Sequence, residues 1–316
     1  MQFPFNLPSQ RQFDAVGFGL NAVDHLIVVS EYPAFDSKMR FREHQQSAGG
    51  QTATAMVALQ RLGLKTAYAG RFGSDSEGEF GLSSLKDESV HIELAEIVPG
   101  ARNQIAFIVI DARSGERTIF WDRDERLAYS VDDAPIKISS LGRVLHIDAH
   151  DPPACARLAQ AARATGTIVT ADIDNIYEGL PELLPLIDVL VTSKEFPHRL
   201  TGISDERASL VELKARYGCT MVGMTMGKRG ATVYCDGQFL ESPAYEVPGV
   251  CRDTTGAGDA FHGGLLYGLL GGQDIETSLK LANATAALKC RALGARTALP
   301  TSAELEEFLT SAMKND

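Results

Sequence analysis

Residues 253–264 read DTTGAGDAFHGG, with carboxylates Asp253 and Asp259 on either side of two threonines and a Gly-Ala-Gly. Gly256, Ala257 and Gly258 directly precede an apolar helical pattern. Small residues there let backbone N–H groups approach a ligand, and the helix N-terminus adds a positive dipole end. The product is a cradle for an anion, with Asp259 in the first helical turn beside whatever is bound. A carboxylate next to an anion has a use when a hydroxyl must be deprotonated there. Phosphoryl transfer has that need: the hydroxyl attacks the γ-phosphate, an acid residue takes its proton, and amides stabilise charge on the equatorial oxygens. A plain glycine-rich turn, followed by a favourable first-turn acid, would use the same residues.

A cradle needs a scaffold. DAVGFG and HLIVV (25–29) read as strands, QTATAMVALQRLG (51–63) as a helix closed by Gly63, and KTAYAGRFG as a strand. RVLHID (143–148), TIVTADI (167–173), DVLVT (188–192) and CTMVGMT (219–225) have the apolar runs of buried parallel strands. Helical patterns at 153–165 and 206–217 separate some of them. This alternation predicts an α/β fold, a doubly wound and mostly parallel central sheet flanked by helices. MRFREH (39–44) and NQIAFIVIDARSGERTIFWD (103–122) alternate apolar with polar residues around a turn. They predict a small antiparallel sheet outside the main one, from about 36–48 and 103–123, serving as a lid. Phe41, Phe107, Ile119 and Trp121 on that sheet would be open to water, which predicts a homodimer through the lid. The C-terminal third reads as helices, the last opening with Thr301 and Glu304 at capping-box spacing after Pro300. No repeat or linker interrupts residues 1–316, so the reading is a single domain.

The bulk numbers exclude some partners. A chain of 316 residues with 44% hydrophobic and 22% charged content can bury a full core. A net charge of -11 leaves no basic surplus for nucleic acid. An ATP-like ligand would need local positive potential. Five cysteines without a CxxC suit a reducing compartment. With neither a signal-peptide pattern nor a long apolar run, no membrane association is expected, and the protein reads as cytoplasmic. The weaker motifs do not compete. GFGLNA (17–22) imitates a dinucleotide fingerprint, but the VDHLIVV after it is strand-like. GMTMGKRG lacks the spacing of a P-loop. The histidines show no metal-ligand spacing, and Asp172 and Asp174 fall at a strand's carboxyl end, where α/β ligands collect.

DTTGAGD resembles the D-T-x-G-A-G-D signature of the ribokinase (PfkB) family of carbohydrate kinases, and the resemblance extends over nearly the whole chain. SAGGQTATAMVALQRLG is similar to the family's Gly-Gly helix start, and MTMGKRGA (224–231) to its T-x-G-x-x-G element. AALKC with Gly294 and Ala295 is similar to the segment around the adenine and the monovalent cation. The resemblance implies ATP as phosphoryl donor, Mg²⁺ and a K⁺-like ion as cofactors, and a small sugar as acceptor. It implies Asp259 as general base and the amides of Gly256, Ala257 and Gly258 as the anion hole. Asp24, Gly49, Gly50 and Gln51 would meet the sugar; Thr225, Gly227, Gly230 and Asn283 would meet the nucleotide. Asp253, Thr255 and Gly294 would hold the monovalent cation.

Two positions depart from the family pattern. Thr54 stands where a sugar-contacting Asn is often found, and TSKE (192–195) keeps Glu195 near the magnesium but has Thr192 in place of Asn. Within the family, GGQTATA, GERTIF, TTGAGDAFHGG and AALKC are similar to the ketohexokinase and sulfofructose kinase branch. Lys38 falls where that branch supplies a lysine to an anionic substrate end, whereas IDAHD (147–151) offers no arginine for a sulfonate. Arg123 leaves a carboxylated sugar acid open. The acceptor implied is a ketose or related sugar or sugar acid, with a nucleoside kinase of the same fold as the alternative. A dehydrogenase would need the GFGLNA reading, and a non-catalytic sugar sensor would have no use for Asp259.

Overall fold

The computed structural model describes residues 1–312. Along them run β1 (Phe13–Phe18), β2 (Ala22–Val29), β3 (Glu43–Gly49), α1 (Gln51–Arg61), β4 (Thr66–Ala69), β5 (Arg71–Gly73) and α2 (Ser76–Asp87). Next come β6 (Glu96–Val98), β7 (Ile105–Asp111), β8 (Arg117–Asp122), β9 (Gly142–Ile147), α3 (Pro152–Ala164), β10 (Ile168–Ile173) and α4 (Leu180–Leu183). They are followed by β11 (Val189–Ser193), α5 (Glu195–Thr201), α6 (Glu206–Tyr217), β12 (Met221–Thr225), β13 (Ala231–Cys235) and β14 (Gln238–Ser242). The last three are α7 (Ala257–Leu270), α8 (Ile275–Lys289) and α9 (Ser302–Ala312).

The large sheet has the order β14-β13-β12-β11-β10-β9-β1-β4, parallel from β4 to β12. Its parallel strands, β1, β4 and β9 to β12, are buried on both faces, as apolar runs in a parallel sheet must be, whereas β14 at the edge is partly exposed. Period-two alternation sorts each strand between two cores. On β10, Val169, Ala171 and Ile173 pack with Leu158 of α3, Leu183 of α4 and Leu213 of α6. Thr170 and Asp172 therefore face the opposite side, where α1 and α7 pack through Met56 and Leu266. The doubly wound arrangement predicted from the strand–helix alternation is present, and β1 and β9 to β12 end within two residues of expectation. KTAYAGRFG, read as one strand, divides into β4 of this sheet and β5, which pairs with β6. The β13–β14 hairpin was not anticipated. It extends the sheet antiparallel through an Asp236-Gly237 turn in which both residues have positive φ. The chain leaves β1 for β2 without a helix, so GFGLNA presents no helix N-terminus to a pyrophosphate.

The smaller sheet is β3-β2-β7-β8. The expected small, mainly antiparallel sheet is present, with two differences: β2 also belongs to it, and its central pair, β2 with β7, is parallel. Only the neighbours joined by reversals, β2 with β3 and β7 with β8, are antiparallel. The reason is connection length, since α1 and α2 lie between β2 and β7 and bring the chain back in the same direction. Residues 36–42 lie outside the strands, with β3 beginning at Glu43. On β7, Ala106, Ile108 and Ile110 face inward against Leu26 and Leu293, while Phe107 points out.

α7 lies against α8 through small residues. A Cβ on Gly264 would sit 2.7 Å from the Ala282 Cα, and one on Gly268 would sit 2.7 Å from the Ser278 Cα. Backbone contact of this kind fixes the helix that begins at the glycine loop relative to the helix that ends at Lys289. α9 starts with the expected capping box, as Thr301 N–H donates to Glu304 Oε2 at 2.8 Å and Glu304 N–H to Thr301 Oγ1 at 3.3 Å. No helix among the described residues is long and apolar enough to cross a membrane.

Candidate active site

α7 starts after Gly256, which has φ +78, the left-handed conformation that favours glycine. A Cβ there would also meet the Ala295 Cβ at 2.7 Å. Both facts demand glycine. The loop ahead of it is shaped by the Asp253 carboxylate, which is fully buried. Its Oδ1 accepts the Thr255 N–H at 2.8 Å, and its Oδ2 accepts the Gly294 N–H at 2.9 Å. One side chain thereby ties the glycine loop to the segment that follows α8. The Ala257 N–H turns back to the Thr254 carbonyl at 3.1 Å. Of the three small residues, the amides of Gly256 and Gly258 are therefore the ones left to a ligand among the described hydrogen bonds.

The loop opens on a cavity of about 1440 Å³ lined by both sheets. That exceeds the range of a single small-ligand pocket and leaves room for two substrates side by side. Its lining includes Asp24, Gly50 and Gln51, with Gln104, Trp121 and His150. It also includes Thr225, Gly227, Gly230 and Asn283. Thr255, Gly256, Ala257, Gly258 and Asp259 of the glycine loop and the start of α7 line the same cavity. Gln104 Oε1, His150 Nδ1 and Thr255 Oγ1 are buried on residues of the lining and accept or donate no hydrogen bond among the described residues, and the same holds for four buried polar atoms on residues outside the lining. Gly230 is again required: φ is +90, and a Cβ would come within 2.0 Å of the Ser242 carbonyl oxygen. Asn283 braces α8 against β14, its Nδ2 donating to the Ser242 carbonyl and hydroxyl at 3.0 Å each.

Other residues singled out in the sequence stand behind or outside this cavity. Gly49 and Thr54 form part of a buried support around Arg296, whose Nη2 donates to the Gly49 carbonyl at 2.5 Å and whose Nε donates to Thr54 Oγ1 at 3.4 Å. Thr54 is therefore held from the protein side. Arg123 needs correcting. It makes a two-pronged pair with Asp151, at 3.1 and 2.9 Å, and is no part of the cavity wall. Lys38 is exposed on the segment before β3, away from the cavity. Glu195 is exposed at the start of α5, 3.9 Å from the Lys194 ammonium. Ile119 and Trp121 are exposed, as expected, and both line the cavity, while Phe120, also exposed, does not.

The acids of the site feel one another. Burial pushes the Asp259 carboxyl well above the usual carboxylate range, and the charge of Asp172 adds to it, against Arg117. Asp172 itself is held lower: burial works against its charge, but His262, with Nε2 at 3.3 Å from Oδ1, overcomes it. Asp174 is pushed up to about 6 by burial and by the nearby Asp172 and Asp148. Asp24 rises to about 7 through burial, with Arg296 pulling it down and Asp253 pushing it up. Burial brings Arg296 down to about 10. His146, at about 3 through burial and the neighbouring His262, is neutral and bonds Thr170 Oγ1 at 3.0 Å.

Three charged residues carry more than the sequence reading assigned them. Arg117 lies in GERTIF on β8, and its Nη1 donates to Thr254 Oγ1 at 2.9 Å, connecting the smaller sheet to the glycine loop. Arg296 supports Gly49 beside Asp24. Lys289 sits against Asp253, with Nζ donating to the Asp253 carbonyl at 2.9 Å. Among the described residues no group of three or more His, Cys, Asp or Glu side chains is arranged to hold a metal ion.

A family model described as pfkB family carbohydrate kinase matches residues 14–302. Over 303 residues the chain is 24% identical to a nucleoside kinase from Methanothermobacter thermautotrophicus, with 94% of this chain and 96% of that one covered. A fructokinase from Klebsiella pneumoniae is 29% identical over 286 residues, covering 84% of this chain and 92% of its own. A solved structure of a double-mutant fructokinase from Vibrio cholerae O395, in its fructose-, ADP- and potassium-bound form, is 27% identical. Its TM-score is 0.76, over 95% of this chain and 99% of that one. The family match runs from the first strand past the last helix of the cavity and takes in the whole glycine loop. The chain belongs to the pfkB family of carbohydrate kinases, and its activity is phosphoryl transfer to an alcohol group.

Proposed function

We propose that this protein transfers the γ-phosphate of ATP to a hydroxyl of a small sugar, a ketose or a related sugar, with Asp259 as general base. The observation that carries this is the position of Asp259, in the first turn of α7 and in the lining of a cavity with room for two substrates. The acceptor hydroxyl sits beside Asp259 and its oxygen attacks the γ-phosphorus. The bond from phosphorus to the bridging oxygen breaks, ADP leaves, and the hydroxyl proton passes to the Asp259 carboxylate. The amides of Gly256 and Gly258 and the positive end of α7 face the charge on the transferring group. Arg117 adds a local positive charge to a chain whose net charge is -11. Mg²⁺ bound to the phosphates would screen their charge. Glu195, at the start of α5 outside the cavity lining, would hold such an ion indirectly, through water.

In this reading Asp24 and Gln51 hold acceptor hydroxyls, and Thr225, Gly227, Gly230 and Asn283 frame the nucleotide. The smaller sheet acts as a lid over residues 1–316 taken as one domain. A sugar acid anchored by Arg123 or Lys38 is no part of it, since neither side chain lines the cavity. The second reading, a nucleoside acceptor, draws on Trp121, a flat ring on the cavity wall, and on the nucleoside kinase among the relatives. ADP release across a panel of ketoses, aldoses, sugar acids and nucleosides separates the two. Stimulation by nucleosides alone would replace the sugar reading, and no stimulation by any acceptor would end both.

Asp259→Asn keeps the size and hydrogen bonding of the side chain but cannot accept the proton. Turnover is expected to fall about 10²–10⁴-fold with substrate affinities retained. The same variant should be more heat-stable than the parent at pH 8. A carboxyl whose folded-state pKa lies above its unfolded value binds its proton more tightly in the fold, so it costs stability once pH passes the unfolded value. Turnover within a fewfold of the parent would reduce Asp259 to a helix-start residue.

Asp24, near 7, should impose a pH dependence on acceptor binding. The ionised carboxylate accepts hydrogen bonds from hydroxyls, so acceptor KM is expected to fall as pH rises from 6 to 8. Asp24→Asn should flatten that dependence. A flat KM in the parent would remove Asp24 from acceptor binding.

Phe41, Phe107 and Phe120 are exposed on or beside the outer side of the smaller sheet. A second copy of the chain covering them is the proposed partner. Light scattering is expected to give twice the monomer mass, and a monomer across working concentrations would overturn the dimer.

A further inference from the structure

The family resemblance gives Asp253, Thr255 and Gly294 to a monovalent cation. Thr255 and Gly294 do meet Asp253, but by donating backbone N–H groups to its carboxylate. Asp253 is fully buried, and both of its carboxylate oxygens accept backbone N–H groups, from Thr255 and Gly294. Its backbone carbonyl, a natural oxygen ligand for a cation, accepts from the Lys289 ammonium at 2.9 Å. That ammonium is also 3.8 Å from Asp253 Oδ2, and the Lys289 side chain has no exposed surface at all. A cation is already built in.

We infer that the Lys289 ammonium takes the place of the monovalent ion beside the glycine loop, and that phosphoryl transfer by this protein is independent of K⁺. The argument runs through charge and place. An ammonium carries the same single charge as K⁺ and is close to it in size, and here it faces a carbonyl oxygen and a carboxylate. A lysine is rarely buried so completely without a counter-charge, and Asp253 supplies one. A second cation at this point would meet repulsion from Nζ and find the Asp253 carboxylate oxygens already turned to amide donors.

The position ties the ammonium to the reaction through the loop. Asp253 receives the Thr255 N–H immediately before Gly256, so its placement sets where the anion-hole amides point. Lys289 ends α8, whose close contact with α7 keeps the ammonium in register with the loop. Lys289 is therefore a positioning residue. It touches no substrate, and it acts through Asp253.

The inference rests on the kinase reading, and the test keeps the two apart. ADP release by the full chain, with the best acceptor of the panel, is measured in KCl and in N-methylglucamine chloride at matched ionic strength, alongside thermal melting in the same two salts. The parent is expected to show equal rates and equal melting temperatures. Lys289→Ala is expected to lose on the order of 10²-fold in kcat in the absence of K⁺, as displaced catalytic groups do. KCl should restore much of that loss and raise the melting temperature of this variant alone.

A parent accelerated or stabilised specifically by K⁺ would overturn the inference. So would a folded Lys289→Ala with parental activity in both salts, or one that K⁺ neither restores nor stabilises. Where Lys289→Ala fails to fold, Lys289→Met preserves the volume without the charge, and parental kcat in that variant would also overturn it. Absence of ADP release with every acceptor would count against the kinase reading, while parent melting in the two salts would still decide the question of the cation.

Discussion

The arrangement turns on a carboxylate that never meets solvent. Asp253 receives the amide of its own loop on one oxygen and the amide of Gly294 on the other. A buried charge is tolerated only when it is fully hydrogen-bonded and paired, and Lys289 completes the pair. Two stretches distant in sequence are joined at this point: the loop that starts α7 and the segment that follows α8. Gly256 can hold its left-handed conformation against Ala295 because that segment is fixed there. The direction of the free amides, the first turn of α7 and the position of Asp259 all follow from this joint. Removing a partner from such a pair would leave an uncompensated charge in the interior, so loop and helix segment stand or fall together.

A second constraint comes from charge. Asp24, Asp174 and Asp259 are all held above their ordinary range by burial, in a protein that is acidic overall. The site thus tolerates carboxyls that would be more stable in water, a common condition of catalytic centres. The compensating positive charge is local. It comes from Arg117 on β8, Arg296 behind Asp24, and the start of α7. Arg117 is the member of this set that arrives from the smaller sheet, where its hydrogen bond to Thr254 joins the sheet's inner side to the glycine loop.

Local chemistry was legible in the sequence, and long-range burial was not. The helix start at the glycine loop could be read because the glycines and the apolar helical pattern are contiguous, and β9 to β12 because both faces of a parallel sheet demand apolar runs. The β13–β14 hairpin carried a readable signal in the Asp236-Gly237 pair between alternating residues, and it was overlooked. The assignment of β2 to the smaller sheet left no local trace, since a strand's own pattern does not name its neighbours. Arg123 looked free because Asp151 lies 28 residues away, and Arg296 and Lys289 looked ordinary because their partners lie 242 and 36 residues away. Charged side chains with distant partners are where a sequence alone says least.

If the buried Asp253 carboxylate holds the glycine loop in place for phosphoryl transfer, kcat of Asp253→Asn registers it. The amide keeps the size of the side chain and one acceptor oxygen, but it loses the charge and the second acceptor. If the loop depends on this residue, kcat falls about 10²–10³-fold, as when an anion-hole donor is lost, while acceptor KM stays close to the parent. A folded Asp253→Asn that turns over at the parental rate would contradict the account.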